Sequence, residues 1–247
     1  MITIHQPNYW AYPGLIGKIM RSDKFVYLTK VQFDRRSWQN RNRIRVEKGW
    51  NYITVPIDNK GKYEQLISET RVSNEENPRW REKHLNAIKF AYRKAKFYEK
   101  YKPFIEELYS RKWEKLAELD IYITNFILQE LKSTTEIIYD MDYDFEGEKN
   151  ELLIDICKKL GEKEYMSNKG SENYVDIEKF NENGIQNIYI NYNGFEYQQV
   201  YPGFESGMST LDMLLNCGPE ETRKIIMDDA NYTFSEWNKK ILVEDND

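Results

Sequence analysis

Short apolar runs alternate with amphipathic stretches along nearly the whole chain, and their spacing predicts a mixed α/β fold. Ile2-Thr3-Ile4 reads as a strand ending at His5, Leu15–Met20 as a helix, and Phe25–Leu28 as a second strand. So tight a β-α-β unit pairs its strands in parallel. Arg43–Val46 and Tyr52–Val55 flank Gly49 and read as a hairpin, and Ser68–Val72 reads as a further strand. The middle is helical. Pro78, just after Asn77, suits a helix start, where its missing N–H costs nothing. Leu85, Ile88, Ala91, Tyr92 and Ala95 recur at helical spacing, which carries that helix to Lys96. Pro103 is expected to open the next helix, and Trp113–Leu131 forms a third. Strands return at Glu136–Tyr139, Glu164–Ser167 and Ile188–Ile190. Helices are expected at Leu152–Leu160, before Gly161, and at Leu211–Asn216, before Gly218 and Pro219. The pattern predicts one α/β domain over residues 1–235: a mostly parallel, open, Rossmann-like sheet with a β-hairpin and a helical insertion at about 77–132. Residues 236–247 read as a charged tail.

Composition narrows the functional classes. A net charge of −5 argues against general nucleic-acid binding, which needs excess positive charge. No run of 18 apolar residues and no signal-like leader is visible, so no membrane span is expected and the chain reads as cytoplasmic. Cys157 and Cys217 lack metal-ligand spacing. Asp140, Asp142 and Asp144 lack the glycine and glutamate of a calcium loop and read as a solvated turn, so no metal site is expected. Aromatic residues make up a high 15% of the chain, with 19 tyrosines; they read first as filling a core poor in Val and Ala, which leaves some rings to line a pocket.

Three segments carry candidate chemistry. In the first, His5 and Gln6 end a strand and precede Tyr9 and Tyr12, in the loop position where open α/β sheets bind ligands. In the second, Lys30, Arg35, Arg36, Arg41, Arg43 and Arg45 stand against a single acid, Asp34, with Asn40 and Asn42 interleaved and Trp38 as a stacking face. Guanidinium forks bind phosphate oxygens in pairs, so this segment suits a diphosphate. In the third, Lys169 follows a strand in a Ser-Asn-Lys-Gly-Ser loop, an arrangement that can cradle phosphate but is not a Walker motif. Ser209 and Asp212 fit a helix capping box, and Ser206 just before it could meet an anion at that helix start. The second histidine, His84, reads as a surface or half-buried helical residue.

His5-Gln6-Pro7-Asn8-Tyr9, Tyr12-Pro13-Gly14, Lys18, Gln32-Phe33, Asn40-Arg41-Asn42-Arg43-Ile44 and Ser206 to Asp212 together resemble the WbqC-like family. The blocks occur in order over residues 1 to about 220, with Ala11 where the family pattern has proline. The resemblance implies a role in bacterial surface-polysaccharide or O-antigen synthesis, and it adds weight to His5 and the Arg-Asn block; Lys18, one of the matching positions, is a substrate-binding candidate. The expected activity is a transferase acting on a nucleotide-linked amino sugar. Arg41 and Arg43 would clamp the diphosphate, Tyr9 and Tyr12 would pack on sugar or base, and His5 would take a proton from the amine. The co-substrate would be an activated acyl or aminoacyl donor. Two alternatives stand beside it: nucleotidyl transfer at the same site, assisted by Lys169, and a non-catalytic sugar-nucleotide-binding protein that docks other pathway enzymes.

Overall fold

The computed structural model describes residues 1–35, 37–58, 60–61 and 64–236; Arg36 and the tail from 237 lie outside the described residues. The chain runs β1 (Ile2–His5), α1 (Pro13–Met20), β2 (Lys24–Tyr27), β3 (Arg41–Arg45) and β4 (Trp50–Thr54). The helices α2 (Trp80–Tyr92), α3 (Tyr98–Ser110) and α4 (Leu116–Glu130) follow. Then come β5 (Glu136–Tyr139), α5 (Asn150–Lys159), β6 (Glu164–Asn168), α6 (Ile177–Glu182), β7 (Gln186–Tyr192), α7 (Thr210–Met227) and β8 (Tyr232–Glu236).

Six strands form one sheet in the order β5-β2-β1-β6-β7-β8, parallel except for β8. Numbered within the sheet by chain order, this is 3-2-1-4-5-6, the order of doubly wound dinucleotide-binding folds. Apolar side chains cover both faces, as a parallel sheet requires. Ile2, Ile4, Val26 and Ile138 pack on one face with Ile154, Cys157 and Phe180 of α5 and α6. On the other face Phe25 and Tyr27 pack with α1, the helical insertion and α7. Period-two alternation puts Thr3 and His5 on the α1 side, and Ser22 just after α1 donates to Thr3 Oγ1 at 2.6 Å. The strand order reverses between the parallel neighbours β1 and β6, which opens a crevice beyond their carboxyl ends.

The hairpin β3–β4 stands apart from this sheet, with Asn42 opposite Ile53 and Arg43 opposite Tyr52. Asn42 and Ile44 are buried on one side of β3, which leaves Arg41 and Arg43 on the other. Among the described residues no helix is long and apolar enough to cross a membrane.

Several local expectations are corrected. Ser68–Val72 is not a strand: Ile67–Glu69 is a 3₁₀ turn, and only isolated bridges pair Arg71 with Lys115 and Val72 with Ile57. The helix expected to reach Lys96 stops at Tyr92. Pro103 lies inside α3 rather than at its start, because Tyr98 and Tyr101 already bury a helical face before it. The helix expected to end at Asn216 resumes after Gly218, whose φ of +75° breaks α7 in place. Asp140 is buried, not solvated: its carboxylate accepts from Thr29 N, Thr29 Oγ1 and Lys30 N at 2.5, 2.6 and 2.7 Å and so holds the loop after β2.

Candidate functional site

A cavity of about 480 Å³ lies at the crevice, on the α1 side of the sheet. His5, Gln6 and Tyr12 form one wall, in the loop that leaves β1. Trp38, Asn42 and Arg43 form a second, and Asn168 closes the end of β6. The segment after β7 roofs it with Phe195, Tyr197, Phe204 and Ser206. Its size and its aromatic walls with a few polar groups are those of a small-molecule site.

His5 is oriented by the backbone. Its Nδ1 lies 2.7 Å from the Gln6 carbonyl, an oxygen that only accepts, so Nδ1 carries the proton and Nε2 keeps its lone pair. Burial, reinforced by the positive charge of Lys18, lowers the pKa of His5 to about 3, so the ring is neutral at pH 7. Lys18 itself is 1% exposed, and its ammonium makes no hydrogen bond or ion pair with any described residue. Burial brings its pKa down to about 7. An amine hidden without a partner costs stability, and such groups concentrate at functional sites.

Arg43 supplies the charge on the cavity wall. Its guanidinium lies 4.0 Å from the Trp50 ring centre, 5.5 Å from Trp38 and 5.6 Å from Tyr52. The rings fix its position by cation–π attraction. Its Nε is buried without a hydrogen-bond partner, and no described carboxylate pairs with it. Ring faces hold this cation while its N–H groups stay unspent.

The remaining candidate residues divide into wall and scaffold. Gln6 lines the cavity, and its Oε1 accepts from Gln39 Nε2 at 2.6 Å. Tyr12 lines it as well, and burial pushes its hydroxyl up to about 12. Asn42 touches the cavity, yet its amide is committed: Nδ2 donates to the Tyr9 and Trp10 carbonyls at 3.1 and 2.9 Å, and Oδ1 accepts from Arg43 N. It ties the hairpin to the loop after β1. Asn40 braces the hairpin end, donating to Val55 O at 2.9 Å, and does not reach the cavity. Arg41 stacks 4.8 Å from the Tyr52 ring centre, off the cavity wall, so only Arg43 of the expected pair faces the site. Lys169 is exposed and lines a side hollow of about 230 Å³ that shares Tyr12, Asn168 and Tyr192 with the main cavity.

Tyr9 is displaced from its expected role. It is fully buried and hydrogen-bonds to His84 Nδ1 at 2.9 Å and to Tyr109. The reason is the backbone at Trp10, whose φ of +46° turns the loop so that both rings enter the core. His84 is correspondingly buried and not at the surface, with Nε2 3.1 Å from Thr54 O.

The Ser209–Asp212 segment is no capping box. Ser209 stands at the N-cap position of α7 but its hydroxyl has no partner. Instead its backbone N–H donates to Arg43 O at 3.3 Å, and Thr210 Oγ1 donates to Ala11 O at 2.6 Å. Asp212 Oδ2 accepts from Tyr197 at 2.6 Å and from Gln199 at 3.0 Å. Burial raises the Asp212 pKa. This motif knots three cavity-forming segments together, and Ser206, exposed at the rim, lines the opening.

Sequence reasoning missed the roof, Tyr192, Phe195, Tyr197 and Phe204; in the Ser-Asn-Lys-Gly-Ser loop it chose Lys169, whereas Asn168 lines the main cavity. A usable signal was present. Aromatic residues crowd a turn-rich stretch holding Gly194, Pro202, Gly203 and Gly207, where no regular element offers them a face to pack on.

Residues 6–224 match the model described as the WbqC-like protein family. A Mycobacterium tuberculosis (strain ATCC 25618 / H37Rv) protein, "Uncharacterized protein Rv1507c", is 31% identical over 221 residues, which is 89% of this chain and 94% of that protein. No solved structure matches the chain.

Proposed function

The chain belongs to the WbqC-like protein family, and on that premise we propose that it transfers an acyl or aminoacyl group to the amine of a nucleotide-linked sugar used in surface-polysaccharide synthesis. The observation that carries this reading is Arg43, a ring-clamped guanidinium without an anionic partner, lining the same cavity as His5. A diphosphate supplies the missing acceptor oxygens. Trp38 and the roof rings offer faces for base and sugar.

The amine nitrogen attacks the carbonyl carbon of the activated donor, and a carbon–nitrogen bond forms. The bond to the leaving group breaks, and that group departs with the electron pair. The amine loses its proton to His5 Nε2, which is free to accept it. Diphosphate charge near the ring raises its proton affinity, in opposition to Lys18. Nucleotide-linked sugars are available in the cytoplasm, so this reading puts the protein there, beside other enzymes of the pathway.

Mass spectrometry of co-purifying small molecules, followed by calorimetry with UDP-, dTDP-, GDP- and CMP-linked amino sugars, tests the proposal. One nucleotide class is expected to bind, and Arg43→Ala is expected to weaken it by about tenfold or more. Equal binding by wild type and Arg43→Ala, or no binding across the panel, overturns it.

A further inference from the structure

A second cavity, of about 470 Å³, lies on the opposite face of the sheet against α5. Leu28, Val31, Leu152 and Leu153 give it an apolar lining. His5 and Gln6 line both this cavity and the first. The two hollows share one wall, at the end of β1, where the strand order reverses. A fold of this type binds its ligands across that point, so part of a reaction complex belongs on each side.

Two polar groups of the second cavity are unspent. Gln6 accepts from Gln39 through Oε1, which leaves its own amide N–H groups without a partner among the described residues. Lys149 is the charged side chain at the exposed rim of this hollow, and its ammonium makes no hydrogen bond or ion pair with a described residue. Neighbouring Glu151 feels the Lys149 charge, but its ion pair is with Lys179. Lys149 also sits at φ +51°, ψ −118°, a region natural to glycine and strained for a larger residue. A lysine kept there under that strain, beside an apolar hollow, fits a ligand with an apolar body and an anionic end.

We propose that the second cavity holds the donor: a carboxylic acid activated by an anionic leaving group, its acyl chain against Leu152 and Leu153, its carbonyl at Gln6 and its anion at Lys149. This role rests on the transfer reading above, whereas occupancy of the cavity stands alone. The donor carbonyl then meets the acceptor amine past the end of β1, at Gln6, which lines both hollows; the amine proton passes to His5 Nε2 on the α1 side, and the leaving group is released toward Lys149.

The test uses 8-anilinonaphthalene-1-sulfonate, a probe with apolar rings and one anion, titrated into the full chain by fluorescence. Lys149→Gly removes the ammonium and suits the local backbone, so the fold is retained; it is expected to weaken probe binding about two- to fivefold. Leu153→Trp fills the hollow and is expected to abolish binding, while calorimetry of the nucleotide-linked sugar in both variants matches wild type. Probe binding unchanged in Lys149→Gly, or absent from the wild type, overturns the proposal, and Lys149→Gly decides alone if Leu153→Trp does not fold. If the probe responds to Lys149 but no nucleotide-linked sugar binds, the second cavity stands and the sugar reading falls.

Discussion

Two regions of this protein each pair a histidine with an arginine, and they use them in opposite ways. Behind the hairpin, His84 has both ring nitrogens engaged, with Tyr9 and with Thr54 O. Carbonyl oxygens only accept, so the proton order follows: Trp10 donates to Tyr109, Tyr109 to Tyr9, Tyr9 to His84, and His84 to Thr54. Arg45 is equally committed, to Gln199, Pro202 O, Gly49 O and Val46 O. At the cavity, His5 keeps one nitrogen unspent, and Arg43 is gripped by rings with its Nε unpartnered. Both regions are aromatic-rich, and both depress a histidine pKa by burial. What separates scaffold residues from candidate site residues here is leftover hydrogen-bonding capacity, not burial or residue type.

The largest expected effect comes from exchanging the roles of the two histidines. His5→Ala should lower turnover about 10²- to 10⁴-fold with little change in Tm or sugar-nucleotide binding. His84→Ala should leave a binding-competent site but lower the Tm, through a cavity and an orphaned Tyr9 hydroxyl. Steady-state rates and thermal melts on both variants check this; a His5→Ala enzyme of normal rate breaks the comparison.

The second effect is acid sensitivity. His84 has a folded pKa of about 4, below the unfolded value near 6.5. Between those values the unfolded chain binds the extra proton, so His84 withdraws stability as pH falls from 6.5 to 4, by up to about 3 kcal/mol. Urea unfolding at pH 7.5 and 4.5 should show a smaller loss in His84→Gln than in wild type; equal losses exclude His84 as the source.

Lys18 sharpens the comparison from the interior, since it is buried and lines neither the first cavity nor the second. Its folded pKa is about 7 against 10.5 unfolded, so it withdraws stability as pH falls through that window. Lys18→Met should raise the Tm at pH 7.5, flatten the stability rise between pH 7 and 10, and reduce activity. Gain of stability with loss of function is expected where a site keeps a buried unpaired charge. A lower Tm in Lys18→Met would count against the unpaired amine.

The smallest effect concerns the roof. Tyr197→Phe removes one hydrogen bond to Asp212, worth about 1 kcal/mol, and should loosen the segment that covers the cavity. A rise in KM for the sugar with kcat unchanged is the expected signature; a fall in kcat alone would assign Tyr197 a different role.

Local pattern determined much of this fold. Short apolar runs marked all five parallel strands, because a sheet covered on both faces needs consecutive apolar residues, and the edge strand Glu136–Tyr139 matches its observed bounds. His5 at a strand end, the arginines of the hairpin and the aromatic excess were likewise legible, since each depends on residue type and neighbours along the chain. Strand order, the partnering of side chains and the roof were decided only in three dimensions. Tyr9 and Tyr12 lie three residues apart in one loop, yet the backbone turn at Trp10 sends the first into the core and leaves the second on the cavity. Asp212 lies three residues after Ser209, as a capping box requires, but Tyr197 and Gln199 claim its carboxylate first. Hydrogen-bonding capacity is set by residue type; whether any is left over depends on which distant groups the packed chain brings within reach.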